Sequence, residues 1–208
     1  MKEVTTNICS AAVMIYCTRS AMKCTCTIAE ISPLASSYRG EILGAILMQL
    51  ILRAASTGTM GPFPVLNKDC DNNGVVLHGN NFTKPLPASQ KQADVLRVMK
   101  RLLSGHMFSI KFLYVQSHTD TKKLCECTKK ELMNIIVDDL AQSALQNASL
   151  TNTFFDGIYP NEDFIVTMSG MKITGPIGTS LDTLWGRQEA QRFFNCKNIV
   201  HAHNFDLI

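Results

Sequence analysis

The chain has 208 residues, of which 46% are apolar and 18% are charged, and its formal net charge is +3. This length suits one domain of common size with a small appendage, and the apolar fraction allows a sizeable core. A chain this long needs no disulfide framework, and its Cys-x-Cys pairs lack the spacing of a zinc knuckle, so we expect the eight cysteines to be reduced thiols.

Two short β-rich segments, 10–17 and 23–29, lie on either side of a polar turn and predict an antiparallel hairpin. Residues 36–56 then predict a long helix that Ser36 or Ser37 can cap. Glu41 lies in its first turns, where the helix dipole favours a carboxylate. The buried face of this helix is expected to hold Ile42, Ala45, Ile46, Gln49 and Leu50.

The segment 63–70 predicts a buried strand that runs directly into Asp71, Asn72 and a short helix. Asp71 therefore stands where a strand stops and a helix starts, the place where parallel-sheet folds expose functional groups. An N-cap is the alternative role for this aspartate. Asp69, two residues earlier, is the reserve candidate for an acidic site.

The segment 85–104 predicts an amphipathic helix whose basic residues point outward. Its inward positions are expected to be Ala93, Val95, Leu96, Val98, Met99, Leu102 and Leu103.

The alternation of residues 110–115 predicts a further strand, followed by a polar loop that carries His118. Thr128 and Glu131 form a capping box, which predicts the start of a helix. This helix presents Asn134 and Asp138, four residues apart, on one face. Its expected buried residues are Leu132, Ile135, Ile136, Leu140 and Ala144.

The order of these elements predicts an α/β layer fold in which helices flank a mixed sheet. Beyond residue 148, the segments 163–169 and 171–174 predict a hairpin, and 180–195 predicts a helix that contains Trp185. We therefore expect a domain at 1–148 and a C-terminal extension at 149–208. His201 and His203 could bind a metal from a strand face, although a third ligand is missing.

Three motifs resemble the type 1 ribonuclease H domain of retroelement polyproteins. V-x-x-H-x-D and N-x-x-V-D-D-L-A, within 115–141, are similar to the last third of that domain. S-x-Y-R-x-E-x-x-G at 36–44 is similar to the start of its first helix, and the Asp71-Asn72 pair is similar to its third acidic position. The resemblance implies a ribonuclease H-like fold in which Glu41, Asp71 and Asp138 bind metal and His118 is a catalytic loop residue.

The resemblance also implies two Mg²⁺ ions, held by four carboxylates, and hydrolysis of the RNA strand of an RNA–DNA hybrid. An upstream reverse transcriptase domain is the implied partner. The family begins one strand earlier, with the first catalytic aspartate, whereas residues 1–9 here contain only Glu3 as an acid. The chain therefore looks N-terminally truncated relative to a complete domain. Two alternatives stay open: a catalytically inactive nucleic-acid-binding remnant, and an unrelated α/β domain whose acids are helix caps.

Positive charge is concentrated between residues 90 and 130, where nine Lys/Arg stand against three acids. The basic side chains of such a segment could bind phosphates. More often, a run of charges like this one is simply the solvent-exposed face of a helix. The candidate nucleic-acid-binding residues are Asn72, Lys91, Arg97, Lys100, Arg101, Lys122 and Lys123. No apolar run reaches the length of a membrane span and no signal peptide is evident, so we expect an intracellular protein, in cytoplasm or nucleus, with no membrane partner.

Overall fold

The first regular element is a β-hairpin, in which strand β1 (Ile8–Tyr16) pairs antiparallel with strand β2 (Lys23–Ile31) along its whole length. The computed structural model describes residues 8–17, 23–32, 34–56, 65–87, 89–105, 109–116, 126–155, 157, 159, 166–168, 171–172 and 206–207. Ala11, Ala12 and Val13 of β1 are all buried. Because consecutive strand residues point to opposite faces, both faces of β1 are covered. The predicted hairpin is confirmed.

Helix α1 (Ser37–Ser56) packs against this hairpin. Ser36 caps it, because its hydroxyl accepts a hydrogen bond from the backbone N–H of Arg39 at 3.1 Å. Gly40 is required by the close approach of helix and strand, since a Cβ there would lie 2.6 Å from the carbonyl oxygen of Ser10. The predicted inward residues are confirmed, with Ile42, Ala45, Ile46 and Gln49 buried and Leu50 half-buried.

The second half of the fold is a parallel pair of strands, β3 (Leu66–Cys70) and β4 (Ile110–Tyr114), joined by helices α2 (Asn73–Asn80) and α3 (Ala93–Ser104). Asn80 ties α2 to β4, because its side chain donates to the carbonyl of Phe112 at 2.9 Å and accepts from the N–H of Phe112 at 3.0 Å. The parallel pairing brings the C-terminal ends of β3 and β4 to the same edge.

Helix α3 begins at Ala93, later than its predicted start at residue 85. Gln92, immediately before it, has a left-handed backbone with φ of 59°, which a continuous helix does not accommodate. All seven predicted inward residues of this helix are buried. Lys100 was expected to point outward, and this is wrong: it is buried, and its ammonium group donates to the carbonyls of Asn81 and Lys84 at 3.0 and 2.6 Å.

Helix α4 (Lys129–Thr151) starts with the predicted capping box. The Thr128 hydroxyl accepts from the N–H of Glu131, and the Glu131 carboxylate accepts from the N–H of Thr128 at 2.7 Å. Its predicted buried face is only half-buried, and Ile136 is 48% exposed. The helix packs chiefly on β1 and β2. The predicted burial of Ile136 is therefore wrong.

Strand β3 was expected to be buried, but Asn67 and Asp69 are exposed on one of its faces. The expected single mixed sheet is instead two separate two-stranded sheets in the described part of the chain, β1–β2 and β3–β4. Both nevertheless contribute to one core, in which Cys9, Cys70 and Phe112 pack with residues of α1 and α3. The mixed α/β class is confirmed.

The C-terminal region contributes a small third sheet of β5 (Val166–Met168), β6 (Met171–Lys172) and β7 (Asp206–Leu207), with β5 and β6 forming the predicted hairpin. The helix predicted at 180–195 and the pair His201 and His203 lie outside the described residues. Phe155 bridges to β2 and Tyr159 is buried in the core. The domain boundary at residue 148 stays a prediction.

Two simpler expectations can be compared directly with the described residues. Among the described residues, Cys9, Cys24, Cys26 and Cys70 carry free thiols, and the expectation of reduced cysteines elsewhere stays a prediction. None of the helices in the described part of the chain combines the length and the apolar character needed to cross a bilayer.

A buried ionic network links four parts of the fold around Arg39, which is fully buried at the start of α1. Its guanidinium donates to both carboxylate oxygens of Glu30 on β2, at 2.7 and 2.9 Å, and to the side-chain carbonyl of Gln92 at 2.8 Å. Asp94 of α3 lies 3.0 Å away, and the Tyr159 hydroxyl donates to Glu30 at 3.1 Å. Burial alone would lower the pKa of Arg39, but Glu30 and Asp94 raise it above its ordinary value.

We expect Arg39→Met to lower the free energy of unfolding by about 3–5 kcal/mol, because it leaves the Glu30 carboxylate buried without its cation. Urea unfolding followed by circular dichroism measures the loss. Adding Glu30→Met to this variant should recover part of it, since the stranded charge is then removed as well.

Lys130→Met is the matched control, because it breaks an ion pair with Asp69 whose side chains are 53% and 37% exposed. Its effect should stay within about 1 kcal/mol. If the buried and the exposed pairs proved equally tolerant of substitution, the network around Arg39 would not hold the fold together.

Candidate metal centre

Three side chains with metal-binding atoms converge where α1 passes the end of β3. Glu41 belongs to the first turns of α1, Cys70 is the last residue of β3, and Asp71 follows it. One oxygen or sulfur atom of each lies within 4.8 Å of the others. The structure thus brings together two of the three acids that the sequence suggested, Glu41 and Asp71.

The electrostatics of Glu41 connect all three of these acids. Burial raises the pKa of Glu41 to about 7, and the charges of Asp71 and, more weakly, Asp138 add to this effect. Lys68 and a hydrogen bond from Cys70 oppose the rise. Asp138 also lines the same cavity as Glu41. The charges of Asp71 and Asp138 therefore both act on Glu41.

Cys70 is a residue of this site that the sequence analysis did not single out. Its thiol donates to a carboxylate oxygen of Glu41 at 3.5 Å. Burial, followed by the charge of Glu41, raises the pKa of Cys70 to about 12, so the sulfur keeps its proton at neutral pH. Only its position directly before Asp71 could have signalled it in the sequence. Cys70 acts here as a hydrogen-bond donor to Glu41.

The alternative role for Asp71, as the N-cap of α2, is wrong. Asn72 is the cap, since its side-chain oxygen accepts from the N–H groups of Gly74 and Val75 at 2.9 and 3.3 Å. Asp71 lies beside Glu41 and does not cap α2. The nucleic-acid contact predicted for Asn72 stays a prediction.

Asp138 and Asp69 occupy more exposed positions. The Asp138 carboxylate accepts a hydrogen bond from the Asn134 amide at 3.4 Å on the surface of α4, so these two residues share a face as predicted. Asp69, the reserve acid, accepts from the ammonium group of Lys130 at 2.7 Å. Because that lysine already balances its charge, Asp69 is a poorer cation ligand than Asp71.

The donor set fits a hard divalent cation. Mg²⁺ takes carboxylate and water oxygens, and Glu41 and Asp71 offer carboxylates close enough to share an ion. Burial first and the charge of Asp71 second raise the pKa of Glu41, and a bound cation would oppose both effects by stabilising the ionised carboxylate. Structural zinc is held by four Cys or His ligands, whereas this cluster offers one sulfur and two carboxylates. Two ions would need further oxygen ligands beyond Glu41, Asp71 and Asp138.

The predicted nucleic-acid-binding residues fall into three groups. Lys91, Arg97 and Arg101 are exposed on or next to α3, where they could reach a phosphate. Lys100 is not suited to that role, because two backbone carbonyls occupy its ammonium group. The remaining predicted residues, Lys122, Lys123 and the catalytic candidate His118, lie outside the described residues.

No family model and no curated protein matches the sequence. Among the solved structures that match are two at 13% identity. One is an N-terminal RNase H domain from Mycobacterium tuberculosis, solved as a fusion with maltose binding protein, with a TM-score of 0.44 over 70% of this chain and 96% of that chain. The other is the protease-reverse transcriptase of prototype foamy virus, with a TM-score of 0.40 over 67% of this chain. This chain spans 20% of the length of that viral protein.

We expect the metal-free protein to lose stability as the pH rises from about 5 to about 8, because the pKa of Glu41 in the folded state, about 7, lies above its ordinary value of 4.5. The folded state then holds the proton more tightly than the unfolded state. The stabilising contribution is complete below the ordinary pKa and is lost as the pH passes the folded pKa. Glu41→Gln should flatten this dependence in urea unfolding with a chelator present.

Saturating Mg²⁺ should restore stability to the unmodified chain at the higher pH and should do so less for Glu41→Gln. Glu126→Gln, at an exposed position, is the control and should keep the behaviour of the unmodified chain. Identical pH profiles for Glu41→Gln and the unmodified chain would show that Glu41 ionises in an ordinary environment.

Proposed function

We propose that this chain is a ribonuclease H-like nuclease domain of a retroelement, which cleaves the RNA strand of RNA–DNA hybrids with Mg²⁺. The observation that supports this most is that the side chains of Glu41 and Asp71 converge at the end of a strand. The charge of Asp138 also acts on Glu41. Carboxylates gathered at such a position are suited to hold a cation against a phosphate.

The divalent cation would supply Lewis-acid activation of the phosphodiester and of water. Glu41 and Asp71 would hold it from the interior side, and Asp138 would act from the exposed surface of α4, where a substrate can approach. Cys70 orients Glu41 through the hydrogen bond between its thiol and the carboxylate. The sequence resemblance assigns His118 to proton transfer or product release.

The second candidate function is that of a catalytically inactive remnant that binds hybrids or RNA. The observation that favours it is the number of acids that the described residues bring near the site. These are three, Glu41, Asp71 and Asp138, whereas the family that the sequence resembles uses four for two Mg²⁺ ions. Two cations held by too few carboxylates repel each other. A cleavage assay separates this candidate from the enzyme.

An upstream reverse transcriptase domain is the partner that we propose for this chain, since the hybrid substrate is the product of reverse transcription. Location in the cytoplasm or nucleus belongs to the same proposal. Both follow from the sequence resemblance, as does the assignment to a retrotransposon.

We expect the chain by itself to cleave an RNA–DNA hybrid in Mg²⁺ weakly or not at all, and an added upstream strand that carries an aspartate to restore cleavage. In the restored protein, Asp71→Asn should abolish most of the activity, by about a hundredfold or more, because it removes a ligand charge while keeping the side-chain shape. His118→Ala should slow turnover less. Gel analysis of a labelled RNA strand measures each rate.

Asp69→Asn is the matched control, since it alters a neighbouring acid that is paired with Lys130. It should leave the restored activity near its starting value. Efficient hydrolysis by the unextended chain would show instead that another acid, such as Glu3 or Asp69, completes the site.

We expect the affinity for a hybrid duplex to fall steeply with salt concentration, because basic residues release counterions from the phosphates. Substituting Arg97 and Arg101 by glutamine should lower the slope of log affinity against log salt by about two. Fluorescence anisotropy with a labelled hybrid in Ca²⁺ measures the slope. The control is the double variant Arg53→Gln with Lys23→Gln, which removes the same amount of positive charge from outside α3. An equal change in slope for this variant would show that the basic residues of α3 have no particular part in binding.

A further inference from the structure

Cys70 gives the acidic cluster a ligand atom of a different chemical kind. Its sulfur lies 3.5 Å from one carboxylate oxygen of Glu41 and within 4.8 Å of a carboxylate oxygen of Asp71. The Cys70 side chain is buried, and the two acids beside it are half-buried. Mg²⁺ takes oxygen ligands and has little affinity for sulfur. Binding of Mg²⁺ therefore leaves the position of this sulfur unexplained.

The separation between the sulfur of Cys70 and the oxygen of Glu41 matches that of two ligands on one small tetrahedral cation. Zn²⁺ lies about 2.3 Å from a cysteine sulfur and about 2.0–2.2 Å from a carboxylate oxygen, so the two ligand atoms are about 3.5–3.7 Å apart in a tetrahedron. The observed distance is 3.5 Å. A cation of this size could therefore enter between the two atoms with little movement of either side chain.

The surroundings of Cys70 also suit a cation that binds sulfur. The carbonyl oxygen of Asn72 lies 3.9 Å from the sulfur and adds a neutral oxygen next to the cluster. Glu41 and Cys70 both line the cavity that Asp138 also lines, which provides space for a cation and a water ligand. Three protein ligands and a water are the usual set of an open zinc site.

We propose that Glu41, Cys70 and Asp71 form a mixed sulfur and oxygen site for a thiophilic divalent cation of the class of Zn²⁺, Co²⁺ and Cd²⁺, and that such a cation excludes Mg²⁺ from the two carboxylates. Cys70 binds through its thiolate, each acid gives one oxygen, and water takes the fourth position. The cation displaces the thiol proton, which passes to solvent. The exclusion of Mg²⁺ rests on the proposed function, whereas the sulfur site rests on these three side chains alone.

The test uses Co²⁺ as the probe, because thiolate coordination gives this ion a charge-transfer absorption in the near ultraviolet that carboxylate coordination does not. The full chain is titrated with Co²⁺ in a buffer that contains neither nucleic acid nor a thiol reductant. We expect an absorption band that saturates. Excess Mg²⁺ should weaken the apparent Co²⁺ affinity by about tenfold or more, because both ions need the carboxylates of Glu41 and Asp71.

Cys70→Ser is the diagnostic variant, since a serine hydroxyl can still donate to Glu41 but offers no sulfur. It should lose the Mg²⁺-sensitive band and bind Co²⁺ at least about tenfold more weakly. The matched control is the double variant Cys24→Ser with Cys26→Ser, which removes two thiols of β2 that are not part of the cluster. It should keep the band. Unfolding curves show whether each variant is folded, and the Mg²⁺ competition on the unmodified chain tests the site without any substitution.

Two results would overturn the sulfur site and leave the proposed Mg²⁺ centre standing. One is Co²⁺ binding that Mg²⁺ weakens but that gives no charge-transfer band. The other is a Mg²⁺-sensitive band that survives Cys70→Ser and disappears in the control variant. A band that excess Mg²⁺ does not affect would overturn the exclusion of Mg²⁺. Calorimetry that detects binding of neither Co²⁺ nor Mg²⁺ would overturn both the sulfur site and the metal centre of the proposed function.

Discussion

The fold depends on one buried charge, the guanidinium of Arg39, and on the carboxylate of Glu30 that balances it. A buried guanidinium is tolerated only when nearly all its donors are satisfied, and here β2, the turn before α3 and α3 itself supply the acceptors. Tyr159 adds a hydrogen bond from the segment beyond α4. Hydrophobic packing alone would allow these parts to slide against each other, whereas charge and hydrogen-bond geometry allow one arrangement.

This constraint also places the candidate metal centre. Arg39 and Glu41 are two residues apart in α1, so their side chains leave the helix in directions that differ by about 200°. With Arg39 fixed on β2, Glu41 is directed away from it, towards Cys70 and Asp71 at the end of β3. One turn of α1 therefore connects the ionic network around Arg39 to the acidic cluster. Burial of the Glu41 carboxylate raises its pKa.

A cavity of about 460 Å³, lined by residues 10–16 of β1 and by residues 65–70, lies between the two sheets. Met133, Val137 and Ala141 of α4 line it and are half-buried, and Asp138 on the same helix is exposed. Glu41 lines the same space, so whatever fills it would change the solvation of that carboxylate.

The sequence by itself determined the elements with strong local signals: the hairpin, the capped helices α1 and α4, and the inward residues of α3, because periodicity and capping depend on nearby residues. It also indicated Glu41, Asp71 and Asp138, through motifs. Only the tertiary structure decided that Asn72 and not Asp71 caps α2, that Lys100 is buried, that Cys70 joins the acidic cluster, and that the sheet is divided. These outcomes depend on hydrogen bonds and burial between residues distant in the chain, which no local pattern encodes.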